Sequence, residues 1–219
     1  EGPFSAGKVK FHFRNIKKII KNKSMRLASY GYFGHMWELY AMWIFFPIMI
    51  KIAYEMANPG VDPTRFFSFA AFSIFLVGAF ATAFGGRIAD KIGRTKFNIH
   101  MLIISGISSL LVVFIFPNPI LLVILGLIWG LAIVPDSPQY STMITELVDK
   151  KLVGTALTLQ VAAGFTVALI SIKLVPIVVD NFGWKFAFSF LFLGPIFGIY
   201  SMLRLRKLKD SNRIAQGRK

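Results

Sequence analysis

The 219 residues are 55% hydrophobic, 16% charged and free of cysteine, and they carry a formal charge of +15. A charged fraction well below the roughly 25% usual in soluble domains excludes an ordinary water-soluble fold, and the missing thiols exclude disulfide, thiol-nucleophile and cysteine-metal chemistry. Such a surplus of positive charge points to nucleic acid in a soluble chain, so its distribution along this apolar one decides its meaning.

The sequence begins at Glu1, and no signal peptide follows; the expectation is a chain that lies inside a longer gene product. Residues 1–26 read as a basic cytoplasmic linker. Within it Phe11 to Lys21 spaces Phe and Ile at helical intervals among Arg and Lys, the pattern of an amphipathic helix on anionic headgroups or of a solvated linker packed on neighbouring loops.

The first apolar span covers residues 27–52 and holds Glu38 near its middle. An ionised carboxylate at that depth costs on the order of 3 kcal/mol unless it is paired, wet or protonated. His35 lies three residues earlier on the same helical face, so the spacing predicts a His35–Glu38 pair able to share a proton, flanked by Tyr32 and Tyr40. Two readings stand: a proton or substrate site in a wet cavity, or polar groups that lock neighbouring helices together.

The second and third spans, residues 66–84 and 97–116, enclose a charged, glycine-containing stretch. Each is long enough to cross about 30 Å of hydrocarbon as a helix. Between them Gly86 is expected to let a neighbouring helix approach closely and Gly93 to permit a tight turn. Asp90 is expected to accept from the exposed amides of a helix N-terminus, with Lys91, Arg94 and Lys96 facing cytoplasmic water and headgroups. The stretch G-R-I-A-D-K-I-G-R-T-K (residues 86–96) resembles the signature loop of the major facilitator superfamily, matching it at Gly86, Asp90, Lys91, Gly93, Arg94 and Lys96. Thr95 departs from the pattern, where a second basic residue is usual. The resemblance implies a cytoplasmic latch between two transporter halves, with Asp90 and Arg94 as its working residues.

The fourth span, residues 120–144, carries Pro135-Asp136-Ser137-Pro138-Gln139. Proline breaks the backbone ladder there, and Asp136 either lines a cavity beside the broken helix or caps the helix restarting at Ser137. The fifth, residues 152–179, places Gln160 at about the depth of Asp136, so that both are expected to line one cavity, while Lys173 snorkels toward the far face. Grouped small residues at Gly126, Gly130 and Gly164 suit close helix crossings. The sixth span covers residues 184–203, and residues 204–219 form a basic tail. Of the 25 lysines and arginines, 21 fall on the side of the two termini, which the positive-inside rule assigns to the cytoplasm of a cell-membrane protein.

H-M-W-E-L-Y-A-M-W (residues 35–43), D-S-P-Q-Y-S (136–141) and G-T-A-L-T-L-Q (154–160) extend the resemblance to the second half of prokaryotic major facilitator permeases. It implies an all-α membrane protein whose six transmembrane helices, residues 27–203, form one half of a twelve-helix transporter. The first, second, fourth and fifth helices of such a half face the central cavity, which would turn Glu38, Asp136 and Gln160 inward. The reading is therefore a secondary transporter for a small solute, coupled to protons through His35 and Glu38, with Tyr40, Asp136, Gln139 and Gln160 on the pathway. Its partners are the lipid bilayer and an N-terminal six-helix half, with no nucleic acid, no cofactor and no enzymatic chemistry. Rival readings are a non-transporting bundle, a half that homodimerises, and an intramembrane metalloenzyme should His35, Glu38 and Asp136 converge.

Overall fold

The computed structural model describes residues 13–218, with side chains from Ile16 onward; the expectation for residues 1–12 lies outside it. A short helix α1 (Phe13–Lys21) leads into α2 (Lys23–Ala57), whose start is capped by Asn22 accepting from the Met25 amide at 3.0 Å. There follow α3 (Thr64–Ile92), α4 (Arg94–Ile115), α5 (Pro119–Ile133), α6 (Ser137–Leu147), α7 (Val153–Phe182) and α8 (Leu193–Arg206). With α5 and α6 counted together as one interrupted crossing, six helical segments among the described residues are long and apolar enough to cross a membrane. At 1.5 Å per residue α2 is roughly 50 Å long, so it projects beyond the hydrocarbon at both ends.

The fourth crossing breaks where the prolines predict. Residues 134–136 separate α5 from α6, because Pro135 and Pro138 offer no amide to the preceding turn. The charged stretch after α3, by contrast, is an elbow of one residue. Helix α3 runs on through Asp90 to Ile92 and α4 starts at Arg94, with Gly93 between them at φ +96°, a backbone conformation that favours glycine. The expected close approach falls on Gly85 rather than Gly86: a β-carbon at Gly85 would lie 2.9 Å from Pro135, whereas one at Gly86 would meet only the Gln139 amide at 3.9 Å. The sixth crossing also departs from the regular helix expected. It opens with the 3₁₀ turns Trp184–Phe186 and Ser189–Phe192 before α8 begins.

Helix α2 is the hub, packing on α3, α5, α6, α7 and α8. Its contact with α8 is glycine on glycine, since a β-carbon on Gly34 would collide with the Gly194 carbonyl. Gly130 and Gly164 sit against Ile74 and Tyr32 in the same manner, as their grouping predicts. Toward the far end Phe46, Trp129 and Phe188 form an edge-to-face trio with centroids 5.4 to 5.7 Å apart, fully buried. Helices α3 and α7 bury much less of their surface, and α3 leaves Phe72 and Phe80 about 60% exposed. The interior that α2 closes against α4, α5 and α6 contains the polar groups.

Candidate functional site

Glu38 sits 15 residues into α2, roughly 22 Å from its start, and it is 0% exposed. Its Oε1 accepts a hydrogen bond from Ser105 Oγ of α4, and Ser105 Oγ accepts one from Trp129 Nε1 of α5 at 2.8 Å. A single hydroxyl thus relays an indole N–H to a carboxylate. Glu38 Oε2 has no hydrogen-bond partner among the described residues.

His35, also 0% exposed, turns elsewhere. Its Nδ1 lies 3.0 Å from Asp136 Oδ1 at the break before α6, in contact but without hydrogen-bond alignment. The imidazole is flanked by Tyr32 and Tyr140, each with ring centroids 5.9 Å away. The His35–Glu38 pair predicted from spacing is therefore replaced by two pairs, because the same face of α2 meets α4 at one level and the α5–α6 break at the other. Nor does Asp136 cap α6 with its side chain; only its carbonyl accepts from the Gln139 and Tyr140 amides, at 3.0 and 3.3 Å. His35 Nε2, the Asn98 amide and the Tyr140 hydroxyl lack partners among the described residues. Water or a proton is the physical remedy for so dense a set of buried polar atoms.

Glu38 and Asp136 do not line an open face of this bundle, as cavity lining by the half would require. Both are enclosed between helices. Gln160 is nearly buried too, but it borders a cleft between α2 and α7 to which Asp136 does not contribute. Tyr40 is half-buried and packs against Trp43 and Phe165 at 5.6 and 5.3 Å.

A second constellation gathers around Arg94, the first residue of α4. Its guanidinium lies 2.8 Å from Asp90, donates to Gln139 Oε1 at 2.7 Å, and reaches both oxygens of Glu146 at 3.3 Å. Asp90 thus pairs with Arg94 instead of accepting helix amides, and Gln139 belongs with the elbow more than with His35. Lys91 and Lys96 are exposed as expected. The tail (Lys209–Gly217) returns to this cluster as 3₁₀ turns interrupted by a kink at Ile214, Ala215 and Gln216: the Ala215 amide donates to Glu146 Oε2 at 3.2 Å, Arg213 to the Leu147 carbonyl and Arg218 to the Asp90 carbonyl, both at 3.0 Å. Ser24 donates to Asp210 at 2.7 Å, and Ile214 is completely buried. Beside the tail, Lys18 Nζ of α1 lies 2.8 Å from Asp149, and this ammonium holds the Asp149 carboxyl below the usual aspartate range. At the opposite end Thr64 does the same to Asp62 through its hydroxyl and amide.

Ser105, Trp129, Glu146 and the docked tail were missed in the sequence. A signal existed for two of them: serines at 105, 108 and 109 put a polar stripe on the apolar stretch after His100, and Glu146 is an acid at the end of a crossing flanked by basic segments. Among the described residues no three His, Cys, Asp or Glu side chains converge to hold a metal ion.

The sequence profile of the Major Facilitator Superfamily matches residues 29–219, nearly the whole chain. The chain is also similar to a gentisate transporter of Corynebacterium glutamicum, with 24% identity over 204 residues. That alignment covers 84% of this chain and 44% of the relative, so the chain spans less than half the length of the protein it matches.

Proposed function

The chain belongs to the major facilitator superfamily, and we propose that it works as one six-helix half of a secondary transporter that moves a small solute by alternating access. A second six-helix half would supply the other wall of the pathway, in keeping with the 44% of the relative that this chain matches. In such transporters the halves rock against one another around a site near the membrane midplane. The multi-pass chain is proposed to lie in the cell membrane with both termini in the cytoplasm, its basic linker and tail on that side. Gentisate, the solute in the relative's name, is the first compound to test.

Protons are proposed to couple through Glu38 and the His35–Asp136 pair. The observation that carries this is a pair of acids sealed inside a membrane-spanning bundle, one with an unpartnered oxygen and the other against an imidazole. Intramembrane ionisable groups of this kind mark proton and solute pathways, and histidine changes charge near neutral pH. Because the acids are enclosed, they would act by changing charge as the helices around them move, without touching solute. Asp90, Arg94 and Glu146 would latch the cytoplasmic ends, with Gln139 holding Arg94 in place.

Complete burial, with one donor from Ser105 already supplied to Glu38, favours a second reading, in which the cluster only locks the helices. One assay separates the two. Uptake across a panel of solutes beginning with gentisate is measured against pH in cells carrying the whole gene, with and without E38Q and D136N. Proton coupling predicts that uphill uptake loses its pH dependence in these variants while solute exchange down its own gradient persists. Unchanged pH dependence in both variants leaves only the locking role.

A further inference from the structure

We propose that the cleft between α2 and α7, beside the end of α1, holds one anionic phospholipid of the cytoplasmic leaflet, with its phosphate on Arg26 and an acyl chain along Phe33 and Leu159. The cleft is an open groove of about 220 Å³, so it seats part of one lipid and leaves the rest in the bilayer. Along its α2 wall Arg26, then Ser29 and Tyr30, then Phe33 follow at one-turn spacing, so the lining passes from charge to hydroxyl to hydrocarbon over roughly 10 Å. A glycerophospholipid presents the same order from phosphate through ester to chain.

Gln160 of α7 supplies the independent observation. It is 1% exposed and borders the cleft, yet neither its Oε1 nor its Nε2 has a partner among the described residues. A buried amide left in that state is costly, and the ester carbonyl of a lipid seated beside it is an acceptor of the kind its N–H groups lack. Ser29 does not relieve it, since its hydroxyl faces the Met25 sulfur at 3.7 Å.

Placement and charge favour lipid over a transported solute. Tyr30 packs on Phe197 of α8 at 5.7 Å, so the cleft opens on the flank of α2 between α7 and α8, away from the flank where His35 meets Tyr140. Arg26 is exposed and makes no ion pair among the described residues, and Lys17 and Lys21 flank Ile20 where α1 closes the cleft. Basic residues at that level meet the negative surface potential of the cytoplasmic leaflet. The choice of leaflet rests on the sidedness proposed above.

Native mass spectrometry of the full chain, released from vesicles of equal phosphatidylglycerol and phosphatidylcholine, tests the site. One phosphatidylglycerol per chain is expected, favoured over phosphatidylcholine by about fivefold, the preference given by one basic residue at a membrane surface. Arg26→Gln should bring that ratio near unity, Gln160→Leu should lower retention of both lipids alike, and Ala163→Trp should abolish it. An unchanged helical circular dichroism spectrum and elution volume identify the folded variants. Equal retention of the two lipids by the unaltered chain, or full retention in folded Ala163→Trp, overturns the proposal. Displacement by excess soluble glycerol phosphate would make this a free-phosphate site and also overturn it. Headgroup preference is read without reference to sidedness or transport, so failure here is distinct from failure of either.

Discussion

Ser105 carries more of the buried cluster than its size suggests, because one hydroxyl serves two larger groups at once. It donates to Glu38 and accepts from Trp129, so removing it leaves a carboxylate oxygen and an indole N–H without partners in a dry interior. A buried polar group stranded in this way costs about 1–3 kcal/mol. Ser105→Ala is therefore expected to lower the thermal midpoint of the detergent-solubilised protein more than Trp129→Phe, which strands neither Glu38 nor Ser105's own donor. The opposite ranking in a thermal shift series would mean that indole packing, and not the relay, holds this region. The sequence showed that Glu38 needed a partner but not which one. His35 and Glu38 share a face of α2, and two residues three apart on a helix remain equally free to pair with each other or with different neighbours until the crossings of α4 and the α5–α6 break are fixed.

Elements were legible where covalent constraint dictates them. The interruption of the fourth crossing follows from Pro135 and Pro138, and the positive φ of Gly93 from the freedom of that residue. The docking of the tail was not legible, because Lys209–Gly217 has little apolar surface and is held by partners distant in sequence, such as Glu146 and Ser24. The same holds for α1, which is anchored on the body by Ile19 in the core and by the ion pair of Lys18 with Asp149. Lys18 depresses the Asp149 pKa, so this attachment is complete above the ordinary aspartate value of about 3.9 and is lost as pH falls through the lower folded value. Amide exchange in α1, corrected for intrinsic rate, is expected to stay flat down to about pH 4 and to rise as the pH falls further below the ordinary aspartate value in the native chain. In Asp149→Asn it should already be high at neutral pH. Salt should loosen α1 at neutral pH as well, since both partners are exposed and screened by ions. An α1 indifferent to pH, salt and the substitution would be held by Ile19 in the core, which is 2% exposed.

At the scale of the molecule the six crossings could be read from apolar runs alone, but which of their faces turn outward could not, since most of each run is apolar and a few polar residues do not fix the remaining faces. The structure sorts them: α2 lies at the centre, while α3 and α7 expose aromatic and branched side chains such as Phe72, Phe80 and Leu169. That surface is apolar enough to meet lipid, and the orientation proposed above rests on charges at the helix ends. Val61, between α2 and α3, and Lys91, at the end of α3, lie at opposite ends of one helix roughly 43 Å long and are both exposed. These 219 residues contain no cysteine, so with any cysteine elsewhere in the gene product replaced, Val61→Cys and Lys91→Cys each introduce a single thiol. A membrane-impermeant maleimide added to intact cells is expected to label the thiol at position 61 and to reach position 91 only after permeabilisation. The 21 basic residues gathered on the Lys91 side favour this orientation over its inverse. Labelling of position 91 in sealed cells would invert the chain and put the Arg94, Glu146 and tail cluster outside, where it could not latch a cytoplasmic gate.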